Sequence, residues 1–237
     1  DKTGTLTENR MAVAEYAFSS GTISLSEGDE PGDQPSADPE SSPQLRTALE
    51  VGILCNNAEI GDATGVGDPL EVALLEVALR LGIDAGELRA RHPEVREEAF
   101  DPDTKRMATI QETPDDGLYV TAKGAPEAIL AVCSTVLGED GPETLDEAAK
   151  QRWSKSEQAL AERGLRVLGL AYKREDAADT PAYAQLTLVG WVGLADPPRR
   201  EVGGAIGRCR TAGRRGPRPT RGAVDPPVPP HRGPAAC

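Results

Sequence analysis

Aromatic residues are scarce in this chain: Phe, Trp and Tyr make up 3% of its 237 residues, and only two are Phe. A core must then be thin and built mainly from Leu, Val and Ala. No apolar run approaches the roughly 18 residues that cross a membrane as a helix, and no signal peptide is expected. Cysteine is limited to Cys55, Cys133, Cys209 and Cys237, far apart, with no CxxC pair and no nearby His. That pattern excludes a clustered metal site and a disulfide framework, leaving free thiols in a reducing compartment. Basic residues are outnumbered, 26 Lys and Arg against 39 Asp and Glu, a net charge of −13. A nucleic-acid surface, which needs clustered cations, is thereby disfavoured. The charge is also uneven. From Arg199 onward nine Arg face only Glu201 and Asp225, a net of +7, so the preceding part carries −20.

What is present reads as alternating strands and helices. MAVAEYAF (11–18) predicts a strand, and the Ser/Gly/Pro/acid-rich stretch 19–44 a mobile loop. LRTALEVGILCNNAEI (45–60) has helical apolar spacing. DPLEVALLEVALRLG (68–82) predicts a helix with Asp68 as N-cap, Pro69 at the first position, Glu71 at the third and Gly82 as the stop. VREEAFDPDTKRMATIQET predicts two strands around a turn at DPDT. GLYVTAKG followed by APEAILAVC predicts a strand, a loop and a Pro-started helix. DEAAKQRWSKSEQALAERG predicts a helix closed by Gly164, and LRVLGLAYKR and AQLTLVGWVGLAD two buried strands. The expected class is α/β with a largely antiparallel central sheet. The last 25 residues hold seven Pro and four Gly without periodicity and predict no folded element.

The chain opens with DKTGTLT. A carboxylate beside a Lys and a Gly/Thr loop suits phosphoryl capture. Asp1 could act as nucleophile, with Lys2, backbone N–H groups and Mg²⁺ spreading the charge. On residue types alone an Asx-type turn explains these letters equally well. The motif resembles the phosphorylation site of the P-type ATPases, pumps whose catalytic domain is haloacid-dehalogenase-like. Further blocks follow in that family's order: GDPLEVALL (67–75), FDPDTKRM (100–107), KGAPE (123–127), GLRVLGLAYK (164–173) and DPPRREVGGAIGRCRTAG (196–213). Together they cover residues 1–213.

The resemblance implies an α/β fold: a nucleotide-binding domain, antiparallel sheet flanked by helices, inserted in a truncated, Rossmann-like phosphorylation domain. The implied boundaries are 1–8 for the start of the phosphorylation domain, 9–190 for the nucleotide domain, 191–212 for the return hinge, and 213–237 for a disordered, frameshifted tail. A genuine disordered tail is the competing account. ATP and Mg²⁺ are the implied cofactors. Asp1 would be phosphorylated, with Lys2 and Thr5 beside the phosphate. Mg²⁺ would meet the Asp1 carboxylate and the Thr3 carbonyl. Superfamily hydrolases usually carry a second Asp where Thr3 stands, so Thr3 favours a long-lived phospho-Asp, as a pump requires. Phe100 would stack adenine, Lys105, Lys123 and Arg166 would meet phosphate or ribose, and Gly124 would let the backbone approach the ligand. Glu71 has two readings, a helix cap or a contact to the adenine amino group. Asp196, Pro197 and Arg199 would form a stiff hinge.

The pattern also has gaps. Pro102 stands where many relatives carry Arg, and the later Thr-Gly-Asp and Gly-Asp-Gly-x-Asn-Asp motifs do not occur. The chain is therefore expected to be a soluble catalytic piece of a cation pump, at the cytoplasmic face of a membrane only through helices it lacks. It is expected to bind nucleotide without turnover. The alternatives are a stand-alone nucleotide-binding module and, with Thr3 against it, a dehalogenase-type phosphatase. His92 and His231 are expected to face solvent.

Overall fold

A computed structural model describes residues 10–25, 37–61, 65–115, 117–176 and 181–196. All belong to one compact unit, Asp1–Pro197. Asp1, Lys2, Thr3, Thr5, Pro197, Arg199, His231 and the tail from Gly213 lie outside the described residues. In chain order the elements are β1 (Ala12–Phe18), β2 (Gly21–Ser24), α1 (Pro43–Leu54), β3 (Glu59–Ile60), β4 (Gly65–Val66), α2 (Pro69–Arg80), α3 (Ala85–Arg91) and β5 (Glu94–Asp101). There follow β6 (Arg106–Glu112), β7 (Leu118–Gly124), α4 (Pro126–Leu130), β8 (Cys133–Leu137), β9 (Pro142–Thr144), α5 (Glu147–Glu162), β10 (Arg166–Glu175) and β11 (Leu186–Ala195).

The most apolar run, LTLVGWVGLA, becomes β11, the strand with a neighbour on each side and a helical layer over each face. It pairs antiparallel with β1 and β10 and parallel with β8. The sheet runs β2-β1-β11-β10-β7-β6-β5, with β8 beside β11 and β9 beside β8. Alternation of side chains sends residues to two cores. On one face Tyr16, Tyr119, Leu170, Val189 and Val192 pack with α1, α2 and α3. On the other, Ile110, Val120, Ala122, Leu188 and Trp191 pack with α4 and α5, and Trp191 Nε1 donates to the Trp153 carbonyl at 3.0 Å. At Gly190, φ is +158°, and a Cβ would stand 2.3 Å from the Ala17 carbonyl oxygen, so the strand can lie this close to β1 only without a side chain there.

Local signals behave as their chemistry demands. Asp68 caps α2 by accepting from Leu70 N–H at 2.8 Å, with Pro69 in the first turn. Asp146 caps α5 by accepting from Ala149 N–H at 2.7 Å. Three expectations change. The loop expected over 19–44 is narrower at both ends, since 21–24 pair with β1 and α1 begins at Pro43. Gln44 Nε2 donates to Ser19 Oγ and to the Leu137 carbonyl, both at 2.7 Å, which ties down the turn between β1 and β2. The helix expected over 45–60 stops at Leu54. The strand expected over 184–196 forms as β11, Leu186–Ala195, with Trp191, Val192 and Leu194 fully buried. His92 does not simply face solvent. Half-buried, it ends α3 with its Nδ1 3.1 Å from the Leu88 carbonyl oxygen and its ring tilted against Tyr119.

β5 is an edge strand whose residues are almost all exposed, four of them acidic: Glu94, Glu97, Glu98 and Asp101. Charges on an edge discourage pairing with another chain.

Candidate functional site

Antiparallel pairing gathers the residues singled out by sequence at one end of the sheet. β5, β7 and β11 end there, while β1, β6 and β10 begin there. Arg106 pairs with Gly124, Gly124 with Gly169, and Ala12 with Ala195. Phe100, Lys105, Lys123, Gly124, Arg166 and Asp196 therefore share this end.

Phe100 sits where the β5–β6 register slips between Glu98 and Asp101, so Ala99 and Phe100 stand opposite Met107. Met107 in turn pairs with Lys123, and Lys123 with Leu170. A bulge thus places a large ring, 57% exposed, in line across the strands with Lys123. An aromatic so exposed in a chain so poor in aromatics is not serving the core.

Lys123 itself points inward. Its Nζ lies 2.7 Å from Glu71 Oε1 and also donates to the Cys55 carbonyl oxygen. Both charged residues are buried, at 7% and 9% exposure. The last carbonyls of α1 have no intrahelical partner, and a cation at that end suits the helix dipole. Neighbouring carbonyls are met by other side chains. Asn56 Nδ2 reaches Gly52 O at 2.9 Å, and Thr109 Oγ1 and Gln111 Nε2 reach Leu54 O at 3.1 and 3.3 Å. The turn after the helix also serves Glu71. Asn57 N–H donates to Glu71 Oε2 at 3.3 Å, and Asn56 Nδ2 donates to the Glu71 carbonyl at 2.9 Å. Asn57 Nδ2 then reaches Glu97 Oε1 on β5 at 2.7 Å, joining the turn to the strand that carries Phe100. Cys55, wholly buried here, has its thiol pushed up to about 11 by desolvation, with nearby Lys123 opposing the rise. At neutral pH it is no nucleophile.

The side chain of Glu71 is engaged by Lys123 and Asn57 rather than by a helix cap. The Lys123 ammonium is paired with that carboxylate. The space over Gly124 is taken by the neighbouring strand: a Cβ there would stand 2.4 Å from the Lys105 carbonyl oxygen and 2.8 Å from Arg106 Cα. The Pro-started helix, α4, is only five residues long, and Glu127 in its first turn pairs with Lys105 Nζ at 3.1 Å. Lys105 lies in the β5–β6 turn with φ +54°. Asp101 opens that turn, its carboxyl held below the usual range chiefly by the Asp103 N–H. Lys105 and Arg166 are exposed. Asp196 follows the end of β11.

Cys55, Asn56, Asn57 and Glu97 were not picked out from sequence. The Asn-Asn pair after an apolar helix was the available signal, since Asn favours helix ends. Among the described residues no group of three His, Cys, Asp or Glu converges to hold a metal. An open groove of about 520 Å³ between α4 and α5, lined by Glu127, Leu130, Glu147, Lys150, Ser154 and Lys155, contains none of the sequence-chosen residues.

Comparison with known proteins gives a consistent answer. The family model described as P-type ATPase, cytoplasmic domain N, matches residues 44–201. The chain is 34% identical to calcium-transporting ATPase 1 of Bacillus cereus, over 90% of this chain and 23% of that protein. It is 33% identical to a calcium-transporting ATPase of Listeria monocytogenes, over 90% of this chain and 24% of that one. The sodium/potassium-transporting ATPase subunit alpha of Drosophila melanogaster is 35% identical, over 90% and 23% respectively. The chain spans about a quarter of the length of these relatives.

Proposed function

The chain belongs to the P-type ATPases, and from that premise we propose that residues 10–196 take ATP at the sheet end formed by Phe100, Glu71 and Lys123. The observation that carries this reading is the exposed Phe100 on its bulge, aligned with the buried Glu71–Lys123 pair. Adenine lies on the ring, and its exocyclic amino group donates to the Glu71 carboxylate, which Lys123 orients. Such stacking is worth about 1–3 kcal/mol. Lys105 and Arg166, exposed at the same end, meet the ribose and phosphates. Pro102 leaves the intervening turn without a guanidinium, so affinity is modest.

In the longer protein implied by the relatives, this domain is inserted in a haloacid-dehalogenase-like domain and delivers ATP to Asp1. A carboxylate oxygen of Asp1 bonds to the γ-phosphorus as the bond to the bridging oxygen breaks, and ADP leaves. Asp1 and Thr3 would hold Mg²⁺, which neutralises charge on the transferring group. Asp196, Pro197 and Arg199 would form the hinge about which the domain approaches Asp1. Cation transport at the cytoplasmic face of a membrane would follow from parts other than these residues. No helix among the described residues is long and apolar enough to cross a membrane.

Titration of ATP into the full chain and into Phe100→Ala tests the reading. Affinity is expected to fall by about 5- to 150-fold, the equivalent of the stacking energy. Because the ring is mostly exposed, stability is expected to stay within about 0.5 kcal/mol. Unchanged affinity would overturn the adenine assignment. An acid-stable, hydroxylamine-labile label from γ-labelled ATP, lost in Asp1→Asn, separates a phosphorylating enzyme from a binding module.

A further inference from the structure

We infer that Arg89, on α3, is a positioning residue for the Glu71–Lys123 site, an inference that rests on the nucleotide reading above. Among the described residues its guanidinium makes five hydrogen bonds, all to three backbone carbonyls. Nε and Nη2 donate to Ile53 O at 3.3 and 3.2 Å, Nη2 to Asn56 O at 2.8 Å, and Nη1 and Nη2 to Ala58 O at 3.3 and 3.2 Å. These carbonyls bracket the turn 55–58, which Asn56 braces from within by donating to Gly52 O and Glu71 O and accepting from Ala58 N–H, while Arg89 ties its two ends together from outside. Helix α1 has ended, and the next element is the two-residue strand β3.

That turn supplies two backbone groups to the site. Cys55 O receives the Lys123 ammonium, and Asn57 N–H donates to Glu71 Oε2. Arg89 touches neither charged residue, yet it fixes the only backbone that meets both among the described hydrogen bonds. The residue type matters. A planar guanidinium offers five donors in a rigid fork and can span three carbonyls at once, whereas an ammonium is a point donor. The position also suits a cation, since it lies at the C-terminal, negative end of the α1 dipole. A change at Arg89 therefore reaches the nucleotide through Glu71 and Lys123.

The test is ATP titration by calorimetry on the full chain, Arg89→Lys, Arg89→Met, Glu71→Gln and the double variant Arg89→Met/Glu71→Gln. On the same samples, the exchange rate of the Asn57 amide is followed by NMR. The expected result is a loss of ATP affinity on the order of fivefold in Arg89→Met, with faster Asn57 exchange, at a temperature where circular dichroism shows the variant folded. Arg89→Lys should recover part of it. In the Glu71→Gln background the Arg89 effect on affinity should largely vanish, because the turn then has no carboxylate to place. An equal loss in both backgrounds, or unchanged affinity and exchange in Arg89→Met, overturns the inference. A wild-type chain that binds no ATP overturns the nucleotide reading instead. The Asn57 exchange rate then still decides whether Arg89 holds the turn. Should Arg89→Met fail to fold, Arg89→Lys in the two backgrounds decides by the same comparison.

Discussion

Removing the ammonium of Lys123 is the sharpest perturbation available. In Lys123→Met the stem volume is kept, but Glu71, whose side chain is 12% exposed, is left as a buried carboxylate facing no cation. Breaking a buried pair from one side costs about 3–5 kcal/mol. The Cys55 carbonyl loses a donor as well, part of the same cost. For a domain of this size 1 kcal/mol moves the melting point by about 2–4 °C, so a fall of roughly 6–20 °C is expected. Glu71→Gln should cost less, because the ammonium keeps the Cys55 carbonyl and an amide oxygen can still accept from it. The decisive sample is the double variant. With no buried charge left, Lys123→Met/Glu71→Gln should be more stable than Lys123→Met alone, its residual cost near the ~1 kcal/mol of one orphaned carbonyl. Thermal and urea melts followed by circular dichroism at pH 7 measure all four proteins. If Lys123→Met loses under about 1 kcal/mol, or if the two single losses simply add, the pair is not the buried unit argued for.

Gly124→Ala places a methyl against the Lys105 carbonyl and Arg106 Cα, both backbone, so strands β6 and β7 must part. A loss of about 1–3 kcal/mol in a urea melt is expected, and a neutral result would refute the close approach. At Lys105, φ is +54°, where Gly rests without strain, so Lys105→Gly should leave stability within about 1 kcal/mol. ATP affinity should nonetheless fall by a few-fold, and equal affinity would remove Lys105 from the phosphate site. Burial raises the Cys55 thiol from an ordinary value of 9.0 to about 11. A group raised on folding lends stability below the unfolded value and loses it as pH climbs through the folded one. Stability should accordingly decline between about pH 9 and 11, less steeply in Cys55→Ser than in the parent. Alkylation of Cys55 at pH 8, read by mass spectrometry, should require unfolding.

Much of the fold was legible because its signals are local. Asp68-Pro69 starts the helix it was expected to start, the helix expected before Gly164 forms, and the DPDT turn separates β5 from β6. The apolar run at 186–195 becomes the strand enclosed from every side. What the sequence hid was tertiary. The length of α1 is set by Asn56, Thr109, Gln111 and Lys123 claiming its carbonyls, and three of those residues lie more than fifty positions away. Short strands β3, β4, β8 and β9 exist because a neighbouring strand or hairpin partner pairs with them, not because of their own composition. α3 carries one buried apolar residue, Leu88, so its pattern gave periodicity little to detect.

The site shows the same division in sharper form. Motif spacing brought Glu71, Phe100, Lys105, Lys123 and Arg166 to notice, and the sheet places Phe100, Lys105, Lys123 and Arg166 at one end. Residue type did not show that Lys123 would be buried and paired, because a Lys in a Lys-Gly-Ala-Pro-Glu loop looks like an exposed cation. Lys123 and Glu71 instead neutralise one another, and the strand bearing Phe100 is itself acidic. On the proposed reading, the buried part of the site can therefore distinguish a ligand only by its neutral polar edge and aromatic face. The phosphates must find positive charge elsewhere, at exposed Lys105, which Glu127 partly neutralises, and at Arg166. On that reading base recognition is built into the buried core, while phosphate recognition is left to two solvated side chains. That division suits the proposed role, in which the domain would hold ATP by its base and present the phosphate end to Asp1.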